Sequence, residues 1–237
     1  MTNVGDNIVA GNSSWTFGNG VSESFDEHVR KSVPFYNAGH DLICKVSDYF
    51  VGEDSVVYEL GSSTGELTYK LAKRNEHKKN ARFVGIDIEL EMTEKARLKV
   101  GSLANVDFIA DDILTHDYQK TDFLVSYYTI QFTRPAMRQL LFDRIYERLN
   151  WGGAFVLFEK VRAPDARFQD IATGLYTDFK LEQGFNESEI VGKSRSLKGV
   201  LEPFSSQGNI DLLKRAGFQD YMTIMKYVCF EGFLAIK

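Results

Sequence analysis

Between Val56 and Glu159 the chain repeats one pattern: a short apolar run suited to a buried strand, then a polar or helically spaced stretch. The runs are Val56–Leu60, Arg82–Asp87, Val106–Ala110 and Phe123–Tyr128. A fifth, Ala154–Glu159, follows the turn Asn150-Trp151-Gly152-Gly153. Four β-then-α units in succession predict a parallel sheet with helices on both faces, and 237 residues suffice to give one such domain a sizeable core. The final stretch differs. Tyr221–Tyr227 and Cys229–Ile236 read as strands with almost no loop between them, a hairpin that adds an antiparallel strand to the sheet.

In open α/β sheets ligands bind beyond the carboxyl ends of the strands, so the residues there matter most. The first run continues into Glu59-Leu60-Gly61-Ser62-Ser63-Thr64-Gly65, where two glycines bracket a tight polar turn before a helix over Gly65–Lys73. Such a junction is expected to present unpaired backbone N–H groups, and residues without Cβ let a ligand approach the main chain. The spacing is neither that of a dinucleotide fingerprint nor that of a P-loop. It is the Glu-x-Gly-x-x-x-Gly spacing of class I S-adenosylmethionine (SAM) transferases.

Glu59, Asp87 and Asp112 each stand at or just beyond the end of a successive strand. An acid after the second strand can accept two hydrogen bonds from a ribose diol, which assigns Asp87. Asp112 is placed to accept from an adenine amino group while Ile88 or Ile113 packs on the ring. Glu59 either attracts the sulfonium and amino groups of SAM or holds the glycine turn. Methyl transfer needs in-line positioning, exclusion of water and, for some acceptors, a base. Candidate bases are His28, Glu159, Tyr36, Tyr127 and Tyr128, with His28 more often a surface helix residue. Tyr127, Tyr128 and Phe132 are candidates for lining an acceptor pocket.

Flanking segments have distinct character. Residues 1–24 are rich in Gly, Asn and Ser around Trp15 and Phe17, and read as a flexible arm, or a lid whose aromatic residues close over a ligand. Residues 25–237 read as one transferase domain. In it, helices are expected over Phe25–Ser32 and Tyr36–Phe50, and 162–200 is a charged helical insertion, with Phe168–Leu181 and Glu187–Val200 as its helices, capping the strand ends. Arg134, Arg138, Arg144 and Arg148 read as a solvated helix face; Lys193, Arg195 and Lys198 read either so or as a cluster for an anionic substrate.

Composition excludes several classes. A formal charge of −5 and a pI near 5.5 leave no basic footprint, which argues against nucleic acid as an obligate partner. Cys44 and Cys229, amid apolar neighbours, read as buried thiols, and no metal site is expected. No apolar run reaches the roughly 18 residues that span a bilayer, and the N-terminus lacks a leader pattern, so a cytoplasmic location is expected.

Ser32-Val33-Pro34-x-Tyr36, Gly61-Ser62, Ile86-Asp87, Asp112-Ile113, Thr129-x-Gln131-Phe132, Leu149-Asn150-x-Gly152-Gly153, Glu159-Lys160 and Ala216-Gly217-Phe218 together resemble the carboxy-S-adenosylmethionine (carboxy-SAM) synthase family. The resemblance runs from about Phe25 to the C-terminus. It implies a Rossmann-like class I SAM-methyltransferase fold with a mostly parallel seven-stranded sheet, a homodimer, and conversion of SAM and prephenate to carboxy-SAM and phenylpyruvate. It further implies that Tyr36, Gly61, Ser62, Ser63, Asp87, Ile88, Asp112 and Ile113 contact the SAM-type ligand. Two positions depart. Tyr127 stands where the family has asparagine, and Ser194 where it has an arginine that grips the ligand carboxylate across the dimer, with Arg195 one place later. A one-residue shift turns a helical side chain by roughly 100°. The expected activity is therefore methyl transfer from SAM to a small-molecule acceptor, leaving S-adenosylhomocysteine. The alternatives are a carboxy-SAM synthase in which Arg195 replaces the arginine, and a non-catalytic SAM-binding subunit.

Overall fold

The computed structural model describes every residue except Met1, Asn7, Asn19 and Ser102. Its centre is a seven-stranded sheet: β3 (Val56–Leu60), β4 (Arg82–Asp87), β5 (Val106–Ala110), β6 (Thr121–Tyr127), β7 (Leu149–Lys160), β8 (Asp220–Tyr227) and β9 (Phe230–Ile236), in spatial order β5-β4-β3-β6-β7-β9-β8. Strands β3 to β7 are parallel, whereas β9 pairs antiparallel with β7 and with β8. The strand order reverses between β3 and β6, which places the crevice for a ligand at their carboxyl ends.

Alternation along the strands builds two cores. Ala154, Val156 and Phe158 face one side, with Ile43 and Cys44 of α2 (Tyr36–Ser47), Leu67 and Leu71 of α3 (Glu66–Arg74) and Ala96 of α4 (Leu90–Val100). Phe155 and Leu157 face the other, with Leu141, Phe142 and Ile145 of α5 (Pro135–Arg148) and Leu212 and Leu213 of α8 (Ser206–Ala216). Both faces are covered, as a parallel sheet requires. Between β5 and β6 the chain crosses without a helix. Arg144 braces that loop by donating to the carbonyls of Leu114 and His116 at 2.7 and 2.5 Å. Arg138, expected on a solvated face, is 1% exposed; it donates to the carbonyls of Gln131 and Thr133 and stacks over Phe204.

Helix ends are set by local chemistry. Pro135 starts α5 at a position where no N–H is needed, and Asn186 with Glu189 forms a capping box on α7 (Glu187–Ser196). The α2 helix stops at Ser47, earlier than expected, because Asp48, Tyr49 and Phe50 donate three residues back instead of four, tightening the last turn. The same tightening after Ser196, at Lys198 and Val200, shortens α7.

Within residues 1–24, β1 (Thr2–Asn3) and β2 (Val9–Ala10) form a small ribbon. Val4, Ile8, Trp15 and Val21 pack with Met92 of α4 as a third core, and Ser13 and Trp15 donate backbone bonds to the carbonyls of Arg195 and Ser196. The helix α1 (Phe25–Ser32) follows, and α6 (Ala166–Glu182) with α7 fills most of the 162–200 segment. Both cysteines are buried free thiols, and among the described residues no helix is long and apolar enough to cross a membrane.

Candidate active site

A cavity of about 1170 Å³ opens over the carboxyl ends of β3, β4, β6 and β7, walled by α1, α2, α6, α7 and the N-terminal segment. Pockets for one small ligand span roughly 300–1,000 Å³, so this one has room for a cofactor and a second molecule.

At the cofactor end, Gly61 and Gly65 adopt φ of 73° and 77°. A Cβ on Gly61 would lie 2.3 Å from the Thr129 side chain, and one on Gly65 would lie 2.5 Å from Phe108. The turn's N–H groups, however, are mostly spoken for: Gly61 and Ser62 donate to the Ile86 carbonyl at 2.7 and 2.9 Å, Gly65 to Ser62, and Ser63 to Asp87. The expectation of free donors is therefore corrected. Close approach of the turn to Thr129 and to Phe108 is what these glycines provide.

The three acids converge on the cavity wall. Asp87 accepts from the N–H groups of Ser63 and Glu89 at 2.8 and 3.0 Å, which leaves about two of its four lone-pair sites for a diol. Burial pushes its pKa up. Beside it Ile88 is 69% exposed, an apolar surface suited to a flat ring, and Ile113 is half-buried in the same wall. Asp112 accepts from Leu114 N–H at 2.9 Å, and Tyr118 fixes that loop by donating to the Ile113 carbonyl. Glu59 accepts a short bond from the Thr68 hydroxyl; burial pushes its pKa to about 8 against that bond, and the Asp87 charge adds to the rise. It thus ties β3 to α3 and lines the cavity as well. These residues suit an adenosine-bearing cation: acceptors for a diol and an amino group, an apolar ring platform, and an acid facing the cation. Ser62 also contributes a buried hydroxyl that has no partner among the described residues.

The acceptor end is less as the sequence suggests. Tyr36, Tyr127 and Tyr128 all line the cavity, but burial raises each phenol's pKa, and Tyr127 spends its proton on the Tyr36 carbonyl at 2.7 Å. His28 is not on the surface. It is 5% exposed, stacked against Trp15, with Nδ1 2.8 Å from the Asp6 carboxylate. Burial and the nearby Lys193 pull its pKa down to about 4, which makes it a weak base at neutral pH. Glu159 is not on the cavity wall. Strand alternation turns it with Phe155 and Leu157 to the opposite face, toward Arg138, where it is 2% exposed and one oxygen has no partner among the described residues. Arg195 is exposed and also off the wall, whereas Ser194 is on it.

Gln131, Lys160 and Lys180, to which the sequence assigns no site role, also line the cavity. Gln131 accepts from Lys160 N–H at 2.8 Å and donates to the Tyr128 carbonyl at 3.0 Å, joining β6 and β7 at the cavity floor. Gln131 and Lys160 both lie within motifs that carry the family resemblance. Lys180 had no such signal, because its place on the inner face of α6 emerges only in the fold.

This fold and this site define a class I SAM-dependent transferase. A family model described as a methyltransferase domain matches residues 57–153, the stretch from β3 into β7. The chain is 37% identical over 224 residues to a carboxy-S-adenosyl-L-methionine synthase of Staphylococcus epidermidis, covering 94% of this chain and 97% of the relative. To one from Nautilia profundicola it is 34% identical over 218 residues, covering 92% of each. The chain belongs to the carboxy-SAM synthase family. Solved structures share the fold at lower identity. Human N-acetylserotonin methyltransferase in complex with SAM matches with a TM-score of 0.60 at 18% identity, over 92% of this chain and 55% of that longer one. The methyltransferase SibL matches with a TM-score of 0.62 at 15% identity, over 93% of this chain and 60% of that one.

Proposed function

We propose that the chain transfers the methyl group of SAM to a small acceptor held in the same cavity. The observation that carries this is the cavity's two ends: Glu59, Asp87 and Asp112 with Ile88 and Ile113 at one, and Tyr128, Tyr176 and Phe230 at the other. When bound, the sulfonium supplies an activated methyl group. The residues of the chain orient the two partners and exclude water. Tyr36, Tyr127, Tyr128 and His28 are poor bases at neutral pH, so none of these four takes a proton from the acceptor.

A second reading is the reaction for which the relatives are named, with prephenate as the carboxyl source. Identity through 97% of a synthase's length favours it, and Ser194 in the family arginine's place opposes it. Incubating the protein with SAM, with and without prephenate, and weighing the products separates the two. S-adenosylhomocysteine with a methylated acceptor fits the first reading. Carboxy-SAM and phenylpyruvate overturn it.

The same proposal places the enzyme in the cytoplasm as a homodimer. Supporting the dimer, Phe168, Ile171 and Leu175 lie on one stripe of α6, each more than half exposed, on the side away from Tyr176 and Lys180. Light scattering at micromolar concentration would read twice the chain mass, and half that value would remove the dimer.

A further inference from the structure

His40, on the second turn of α2, is 1% exposed and lines the cavity. Its Nδ1 faces the Lys70 ammonium of α3 at 3.4 Å, and Lys70 is held in turn by Glu66 at 2.9 Å. An ammonium can only donate, so Nδ1 is the acceptor. Burial, with the charges of Lys70, Arg30 and Lys99 adding to it, pulls the imidazole's pKa down to about 3. The ring is therefore neutral at pH 7 and carries its one proton on Nε2. That nitrogen lies on the side of the ring away from Lys70, and among the described residues it is buried without a hydrogen-bond partner. A buried donor left unmatched is unfavourable, and the cavity is where a partner can reach it.

The neighbours set the chemistry of that partner. The His40 ring lies 4.6 Å from that of Tyr36 and 4.7 Å from that of Tyr127. The Tyr36 phenol is close enough to Glu59 for that carboxylate's charge to add to burial in raising its pKa. His40 thus shares a wall with the acid that faces the cation. An amino acid carries its carboxylate on the carbon that bears its amino group, so a ligand that sets an ammonium against Glu59 brings a carboxylate to the same wall. Tyr127 sharpens the point. Asparagine in its place would offer amide donors, whereas the phenol has one proton and gives it to the Tyr36 carbonyl at 2.7 Å. The Nε2–H of His40 is the buried donor on this wall that no described residue matches.

We infer that His40, through Nε2–H, hydrogen-bonds the carboxylate at the amino-acid end of the bound SAM-type ligand, and that Lys70, from behind, fixes the tautomer that makes it a donor. The assignment rests on the proposed function and adds to it a residue that belongs neither to the strand-end acids nor to the glycine turn. A hydrogen bond to a charged acceptor is about twice as strong as one between neutral groups, so this contact distinguishes a ligand that carries the carboxylate from one that lacks it.

Calorimetric titration of the full chain with S-adenosylhomocysteine and with its decarboxylated analogue, which keeps the nucleoside, the thioether and the amino group, tests this. His40→Phe keeps a ring and removes the donor, whereas His40→Gln sets an amide N–H close to where Nε2–H stands. His40→Phe is expected to weaken S-adenosylhomocysteine at least tenfold, to leave the analogue within twofold, and to melt no lower than the parent. His40→Gln is expected to retain most of the affinity. In the parent carrying isotope-labelled histidine, the Nε2 resonance of His40 is expected to shift when S-adenosylhomocysteine binds and to shift much less with the analogue, a readout that needs no variant to fold. Equal S-adenosylhomocysteine affinity in the parent and His40→Phe, an equal loss for both ligands, or an Nε2 resonance that S-adenosylhomocysteine leaves in place overturns the inference. Absence of S-adenosylhomocysteine binding to the parent would instead overturn the function on which it rests.

Discussion

The phenol of Tyr127 donates a 2.7 Å hydrogen bond to the carbonyl of Tyr36, joining the end of β6 to the first turn of α2 directly over the cavity. Gly39 makes this possible, since a Cβ there would lie 2.2 Å from the Tyr127 oxygen. Tyr127 therefore acts as a strut in the wall, with its ring 5.1 Å from that of Tyr36 and 4.7 Å from that of His40.

Removing that strut should be felt at the cofactor. Tyr127→Phe keeps the ring and loses one hydrogen bond, about 1 kcal/mol, and is expected to weaken SAM binding several-fold. Gly39→Ala drives a methyl group into the phenol and should cost about 1–3 kcal/mol of stability. Denaturant unfolding compares the two; a Gly39→Ala variant as stable as the parent would show that the ring moves aside freely.

Glu59 supplies a proton-linked signature. With its pKa raised to about 8, it is mostly protonated at pH 7. A cationic ligand beside it favours the carboxylate and lowers that pKa, so binding should release a proton. Affinity for SAM should rise with pH up to about 8 and then level off. Titration at pH 7 in buffers of different ionisation enthalpy measures the proton directly. Glu59→Gln should abolish the release.

The glycine turn makes a stability prediction independent of any ligand. At Gly65 an alanine meets both a left-handed backbone, which costs roughly 1–2 kcal/mol, and the Phe108 ring at 2.5 Å. A melting temperature lowered by several degrees is expected. An unchanged value would mean that the turn has another conformation available.

Glu159 should behave as a structural group. Its pKa is raised from 4.5 to about 8, chiefly by burial, so its protonated form is favoured in the folded chain. Its contribution is complete below pH 4.5 and is lost as pH rises through about 8. Glu159→Gln should flatten that decline, make the protein more stable than the parent at pH 9, and leave SAM affinity within twofold. A loss of SAM affinity would bring Glu159 back to the site.

The sheet, the acids at its strand ends and the buried cysteines were legible because strand periodicity and turn glycines are local signals. The face to which Glu159 turns was not. It depends on which helices cover each side of β7: alternation puts Glu159 opposite Phe158, on the side that α5 and α8 cover. The surroundings of His28 and Lys193 were hidden for a related reason. Both sit on helices whose polar faces look solvated until the N-terminal segment covers them, bringing Asp6 to one and Trp15 to the other. Asp87, fixed by the strand it ends, needed no such tertiary knowledge.

The central claim is that Asp87, Asp112 and the Gly61–Gly65 turn form a cleft for a SAM-type ligand. Calorimetric titration of S-adenosylhomocysteine into the parent and into Asp87→Ala tests it most directly. The account predicts one site per chain in the parent and a loss of at least about 1.4 kcal/mol, tenfold in affinity, in the variant. Absence of binding to the parent, or equal affinity in both, would contradict it.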